Sequence, residues 1–396
     1  MATFAVRAAR MFDGTRLYGP TTVTVEDGRI VRVDTTGAPP PQGVPAIDVG
    51  QDAFLLPGLI DAHVHLAFDA TTDPVAALVA ADDAELLAKM RTAAERAIRV
   101  GITTVRDLGD RNYLSLALRA ELADHPENGP EILPAGPPIT PPGGHCHFLG
   151  GETERTTAAL LAAVRERHER GCAVVKIMAS GGNMTAGSAP PYAPQFSLAE
   201  LRLVVDEAHR LGLPVAAHAH ATSVIRDALD AGVDTIEHMS FMTEDGVDAD
   251  PALLARIVAS DTFVSPTVGY FDTGRPVAHP PAIVSRLAEI QAAGRKLFEL
   301  GAKVVPSTDA GIGTFKPHDV LPLAVAQLVA TGVPMLDVLA AVTSVAARAC
   351  HVADRKGRIS VGADADLLVT GDLLDDIGRI SDIRAVIHAG VQVPTN

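Results

Sequence analysis

Hydrophobic and polar positions alternate in two different textures along this chain. Near the amino end, Thr22-Val23-Thr24-Val25 and Arg29-Ile30-Val31-Arg32-Val33 flank Glu26-Asp27-Gly28. That pattern predicts two short strands joined by an Asp-Gly hairpin turn. Thr35 to Pro45 is rich in Gly and Pro and reads as turns. From Leu59 to about Arg348, short apolar runs alternate with longer segments at helical period. The runs are Leu59-Ile60, Ile102 to Val105, Glu131 to Pro134, Ala173 to Ile177, Pro214 to Ala217, Thr235-Ile236, Thr262 to Val264 and Lys303 to Val305. The intervening helical segments include Ala84–Val100, Thr156–Arg170, Ser197–Leu211 and Ile283–Leu300, and Gly212 and Gly301 follow two of them as C-cap glycines.

Eight strand runs separated by helices are the arithmetic of a (β/α)8 TIM barrel, an α/β fold of roughly 250 residues or more. After the last helix, Arg358-Ile359, Ala365 to Thr370, Ile383 to His388 and Val391 to Val393 return to strand-and-turn texture. The two β-rich ends are expected to pair into one small β-sandwich. The predicted division is 1–55 plus 352–396 for that domain and 56–351 for the barrel.

Composition narrows the function. The 396 residues carry a formal charge of −15, which argues against nucleic-acid phosphate or an anionic membrane as partner. Val320 to Leu336 lacks charge but is interrupted by Pro322, Gly332 and Pro334, and reads as buried helices rather than a span. The first residues show no apolar signal-peptide core. Cys146, Cys172 and Cys350 show no CxxC spacing, so a reducing, cytoplasmic setting is expected. Fourteen histidines, against no Trp and four Tyr, are the unusual entry in the composition.

Several of those histidines fall where barrel chemistry would be, at the carboxyl ends of predicted strands. The first run continues into Asp61-Ala62-His63-Val64-His65. Residues two apart on a strand share a face, so His63 and His65 make half of a divalent-metal site. Ala217 leads into His218-Ala219-His220, Ile236 into Glu237-His238, and the eighth run into Ser307-Thr308-Asp309. Any one of these could be a hydrogen-bonded histidine or a helix N-cap aspartate. Their recurrence on four strands points to a metal.

Lys176 stands inside the otherwise apolar run Ala173 to Met178. A buried ammonium is costly and burial lowers its pKa. A neutral amine can take up CO2 as a carbamate, whose oxygens can bridge two metals; the plain alternative is a lysine reaching the rim or an acid. In Gly143-Gly144-His145-Cys146-His147, His145 is either a substrate contact or a solvated loop histidine. Gly181-Gly182-Asn183 is either a backbone approach to substrate or a tight turn, and Tyr270 is a further candidate substrate contact. His147 and His318 fall near the same end, and Arg106 with Asp107 reads as a structural ion pair.

With these residues, PGLIDAHVH, GITTVRDLG, VVKIMASGG, QFSLAELRLVVDEAHRLGLPVAAHAH, AGVDTIEHMSF, STDAG and SVGADADLLV run through the chain in order. It resembles the amidohydrolase superfamily, in the imidazolonepropionase and prolidase-like branch that includes metal-dependent Xaa-Pro dipeptidases and carboxypeptidases. The resemblance implies two divalent metals, zinc being expected although the ligands also suit manganese, cobalt or iron. It implies His63, His65 and Asp309 on a buried metal, His218 and His238 on an exposed one, and carbamylated Lys176 bridging them. Asp309 would also carry the proton, and His220 would be a substrate contact, although spacing alone leaves His218 and His220 interchangeable as ligand.

The function implied is hydrolysis of an amide in a small carboxylate-bearing molecule, a dipeptide or N-acyl amino acid, by a protein that could associate with its own copies. Two departures from the related peptidases touch the pocket: Ala221 in place of Gly, and the segment from Phe315 to Val320. The alternatives are a cyclic-amide hydrolase or deaminase, and a lactone or phosphoester hydrolase with the same metals. Ala221, where ring-acting relatives place Glu, and the presence of Lys176 oppose the first. A catalytically silent scaffold is disfavoured by the intact ligand set.

Overall fold

The computed structural model describes residues 3–272 and 285–394. The amino-terminal strands are β1 (Thr3–Ala8), β2 (Arg10–Phe12), β3 (Leu17–Tyr18), β4 (Thr21–Glu26), β5 (Arg29–Asp34), β6 (Ala46–Ile47) and β7 (Phe54–Pro57). The predicted hairpin is present: β4 and β5 pair antiparallel, with Glu26 opposite Arg29. Its two turn residues, Asp27 (φ 51°) and Gly28 (φ 79°), are both left-handed, as this hairpin turn demands.

Then come β8 (Leu59–Val64), α1 (Pro74–Ala80), α2 (Asp83–Arg99), β9 (Ile102–Asp107), α3 (Leu114–Ala123), β10 (Glu131–Pro134), α4 (Thr157–Arg170) and β11 (Val175–Ile177). The alternation continues through α5 (Leu198–Arg210), β12 (Val215–Ala221), α6 (Thr222–Ala231), β13 (Thr235–Met242), α7 (Pro251–Ala259), β14 (Phe263–Ser265) and α8 (Leu287–Glu299). Four predicted helices are therefore found within a few residues of their expected bounds; Ile283 and Val284, at the predicted start of the last, lie outside the described residues. Val320 to Leu336 holds α9 (Leu321–Ala330) and the start of α10 (Met335–Ala341), followed by α11 (Ser344–Ala349). Among the described residues no helix is long and apolar enough to cross a membrane.

The seven middle strands pair in parallel and in chain order, as β8-β9-β10 and β11-β12-β13-β14. Between the two sheets, Ala173 N donates to Pro134 O and Ile139 N to Lys176 O. The eighth run differs from expectation, since Lys303 to Val305 makes single bridges in place of a regular strand. Val305 N donates to Val264 O, and farther along Asp309 N donates to His63 O. Pro306 has no N–H for a ladder and Asp309 sits at φ 58°, which together break the strand while the segment still lies between β14 and β8.

The chain ends meet in one sheet. Its order is β17 (Val391–Gln392), β16 (Ile383–His388), β15 (Leu367–Thr370), β7, β2, β3, and a second sheet runs β5-β4-β1-β6. Alternation along β7, β15 and β16 decides which layer each side chain joins. Leu55, Leu367, Val369 and Ile387 pack with Val23, Val25 and Ile30 of the second sheet. Phe54, Leu56, Leu368 and Val386 face the helical side and pack with Ala97 and Ile98. Both faces are covered, which is why these strands read as continuous apolar runs. Arg358-Ile359, expected as a strand, instead meets the amino end by a single bond from Ile359 N to Asp13 O.

The carboxyl end is tied to β10 by a half-buried ion cluster around the buried Lys356 and Asp366. Lys356 Nζ contacts Asp366, Glu131 Oε2 (3.1 Å) and Asp364 Oδ2 (3.4 Å), while Arg355 pairs with Glu131 and Asp364. Burial pushes the Glu131 carboxyl up, but Arg355 and Lys356 outweigh it and bring it to about 2. Lys356→Met should lower stability in urea unfolding at pH 7 by about 3 kcal/mol, because it leaves buried carboxylates without their partner. Glu131's share of the stability is present above its ordinary value of 4.5 and is lost as pH falls toward about 2. Unfolding of Glu131→Gln beside the parent protein should therefore show a gap that narrows on acidification.

Candidate metal centre

The strand end Asp61-Ala62-His63-Val64-His65 sends Asp61, His63 and His65 to the same side, as period two requires. All three are buried. His63 Nδ1 lies 2.9 Å from Glu237 Oε2, and His65 Nδ1 lies 3.1 Å from the Gly109 carbonyl. Both partners only accept, so each Nδ1 carries a proton, and in the neutral ring that metal binding requires Nε2 would hold the free lone pair. Those two Nε2 atoms lie 3.5 Å and 3.4 Å from Asp309 Oδ1.

Asp309 is held there from two directions. Thr308 donates to Asp61 through its N–H (3.1 Å) and its hydroxyl (2.5 Å). Lys316 Nζ donates to Thr308 O (2.5 Å) and Val268 O (3.1 Å). Burial raises the Asp309 carboxyl, but His63 and His65 outweigh it and keep it well below the carboxylate range. Asp61 has fewer such contacts, and burial pushes it up to about 6.

A second group stands opposite. His218, His220 and His238 have ring centroids 4.4–4.7 Å apart. His220 Nδ1 is bonded to Ser240 Oγ at 2.8 Å, and His218 Nε2 lies 3.1 Å from Gly181 O. His238 adopts φ 69°, so two of the converging side chains, His238 and Asp309, hang from left-handed backbone. Such a conformation costs of order 1 kcal/mol or more per residue and persists only where its surroundings impose it. Burial pushes His63 and His220 down to about 4, and holds His218 and His238 well below the ordinary imidazole value. Neutral imidazoles are the form that binds metals.

His63, His65 and Asp309 each offer one ligand atom within 4.8 Å of the others, and so do His218, His220 and His238. Lys176 lies in the wall of the same cavity, 1% exposed, and its Nζ has no hydrogen-bond partner among the described residues. His63 Nε2 is likewise unpartnered. Burial lowers the Lys176 ammonium to about 8, although Glu237 and Asp309 favour the charged form. Buried donor atoms without partners are costly unless something fills the gap between them. Divalent cations fit this donor set of imidazoles, carboxylate and amine.

One cavity of about 510 Å³ is lined by all the residues expected as metal ligands or substrate contacts: His63, His65, His145, Lys176, His218, His220, His238, Tyr270 and Asp309. His145 is buried against His218, with ring centroids 4.8 Å apart. The Thr185 hydroxyl accepts from Cys146 N and lies 3.3 Å from His145 Nδ1, to which it can donate. Gly182 leaves room for this ring, since a Cβ there would overlap it. His318 is buried behind the site, with Nε2 3.2 Å from His65 O.

The expected Arg106–Asp107 pair is not formed. Adjacent strand residues point to opposite sides. Arg106 Nη2 instead meets Glu237 Oε1 at 2.9 Å, and Asp107 accepts from the Leu66 and Gly109 N–H groups. Glu237 and Lys316 are therefore site residues that the strand-end motifs did not single out. The signal for Glu237 was a carboxylate inside an apolar strand; Lys316 lies in the segment Phe315 to Val320 expected to touch the pocket, where Phe315 and Lys316 do line it, although nothing local marks Lys316 as buried.

Similarity to known proteins agrees with this architecture. The amidohydrolase family model matches residues 54–393. Ochratoxinase from Aspergillus niger is 31% identical over 220 residues, covering 48% of this chain and 44% of that protein. The match thus spans less than half the length of that curated relative. Imidazolonepropionase from Mesorhizobium japonicum is 24% identical over 402 residues, covering 92% of this chain and 90% of that protein. Among solved structures, a Xaa-Pro dipeptidase with bound methionine in its active site superposes with a TM-score of 0.86 at 25% identity, covering 99% of both chains.

Glu237→Gln should weaken the hold on His63 and leave Arg106 without its charge partner. Affinity for an added divalent cation, read against a competing chelator, is expected to fall by roughly tenfold to a hundredfold. Unchanged affinity in a folded variant would remove Glu237 from this role.

Proposed function

The chain belongs to the amidohydrolase family, and from that premise we propose that it is a binuclear metal-dependent hydrolase. Its substrate would be a small carboxylate-bearing amide, a dipeptide or an N-acyl amino acid. The observation that carries this reading is the unpartnered, buried Lys176 Nζ in one cavity with two three-donor clusters. The parallel strands in chain order, with the broken eighth segment bridging β14 to β8, support a (β/α)8 barrel. The two terminal sheets around a common apolar cluster support a β-sandwich, and we divide the chain as 1–55 plus 352–396 and 56–351.

In this reading His63, His65 and Asp309 hold one metal, and His218 and His238 hold the other. Lys176, as a carbamate formed when its neutral amine adds to CO2 and releases one proton, would add its oxygens to the donor set. His220 is more exposed than the other donors and is assigned to the substrate. When bound, two divalent cations, zinc being the expected ion, supply Lewis-acid activation of a carbonyl and hydroxide near neutral pH.

The remaining steps belong to the side chains. Asp309, held well below the carboxylate range and so ionised, accepts the proton at its carboxylate and delivers it to the leaving nitrogen. Glu237 holds His63 in the tautomer that leaves Nε2 free. With Thr185 donating to its Nδ1, His145 keeps an N–H for the substrate or the developing oxyanion. Tyr270 stands in the cavity wall, its ring 4.7 Å from Lys316 Nζ, as a further substrate contact.

Lys176→Ala should bind one metal where the parent protein binds two and should lose nearly all turnover; full activity would overturn the carbamate. Asp309→Asn should keep much of the metal while losing the chemistry, as read by metal analysis and single-turnover kinetics. Dipeptides and N-acyl amino acids varied at both residues are the substrates to screen. Silence across that library with metals bound would favour a lactone or cyclic amide as substrate.

A further inference from the structure

A second cavity of about 420 Å³ adjoins the metal cavity, and His220, His238, Thr267 and Tyr270 line both. Its far walls are the facing sides of α8 and α9. Leu287, Ile290, Gly294 and Phe298 recur at helical spacing on α8, and Ala324 and Leu328 do so on α9. Apolar stripes of this kind ordinarily meet and exclude water. Here they leave a space, and each stripe has a minimal side chain within it, Gly294 and Ala324.

Gly294 has no conformational reason to be glycine, since its φ is not positive. A Cβ added there would meet nothing within 4 Å. Glycine inside a helix costs about 1 kcal/mol relative to alanine. What it contributes at this position is room on the wall of the cavity. Three polar groups in the wall are turned to other partners. Gln327 accepts from Tyr270 N (3.2 Å) and donates to Tyr270 O (2.8 Å), Thr331 Oγ1 bonds Leu328 O, and Arg295 pairs with Glu299. The Gln327 clasp fixes the backbone of Tyr270 on the boundary between the two spaces.

We propose that this side chamber receives a bulky hydrocarbon group of the substrate, an aryl or branched alkyl substituent on one fragment of the scissile amide. It rests on the amide-hydrolase reading and deepens it by naming the substrate class. A chamber of this volume is of the size that holds small-molecule groups, and its apolar walls reward carbon surface over charge.

The test uses the metal-loaded enzyme and three substrates: N-acetylglycine, N-(3-phenylpropionyl)glycine and N-acetylphenylalanine. At least one bulky substrate should exceed N-acetylglycine in kcat/KM by about tenfold or more, mainly through KM. That ratio should fall toward one in Gly294→Phe, which fills the chamber from α8, and in Leu328→Trp, which fills it from α9. Gly294→Ala should retain most of it. Calorimetry with 3-phenylpropionate and propionate gives a readout that needs no turnover. The parent protein should prefer the phenyl ligand by about tenfold, and both filling variants should lose the preference.

Equal affinities in the parent protein, or a preference that survives both filling variants, would overturn the chamber. Turnover of all three substrates at equal kcat/KM without ligand preference would overturn it while sparing the amide reading. Ligand preference that is lost on filling, with no turnover of any amide, would do the reverse.

Discussion

A carboxylate with no access to water organises the catalytic end of this molecule. Glu237, fully buried, lies between the His63 ring and the Arg106 guanidinium, and also accepts from the Thr235 hydroxyl. A lone buried charge would be expelled or neutralised. Glu237 persists because Arg106 and His63 outweigh its desolvation and hold it ionised. In return it determines which nitrogen of His63 keeps the proton, and so which nitrogen can bind a cation. Arg106 extends the link by donating to Ala62 O on β8, so strands β8, β9 and β13 are joined at one point.

The rest of the centre follows the same rule, that each reactive side chain is aimed by a buried polar partner away from the reacting space. Asp61 and Lys316 hold Thr308 from opposite sides and thereby hold Asp309 at its left-handed φ. Ser240 fixes the His220 ring, and Thr185 the His145 ring. Lys176 is the exception. It is the one lysine of the cavity wall whose Nζ meets no described partner, whereas Lys316 is engaged by two carbonyls. That contrast separates a lysine free to meet something in the cavity from one already anchored to the backbone.

Local rules carried much of this architecture. The hairpin at Asp27-Gly28, four of the helices and the HxH pairs depend on nearest-neighbour geometry, and all are found. The failures have a common cause. The eighth run looked like a strand from its hydrophobicity, but Pro306 and the φ of Asp309 deny it a ladder. Arg106 looked paired with its neighbour Asp107, but its partner is 131 positions away. Arg358-Ile359 looked like a strand and became a single tether to Asp13.

By itself, the sequence determined the order of the elements, the faces that His63, His65, His218 and His220 share, and the set of side chains able to meet a metal. These follow from periodicities of 2 and 3.6 that act over a few residues. Only the tertiary structure decided which nitrogen of each imidazole carries the proton, that Glu237 belongs to the site, that Lys316 anchors Thr308, and that α8 and α9 stand apart beside it. Those outcomes depend on partners brought together when the strands and chain ends close on one another, and no local spacing encodes the distance between two such groups.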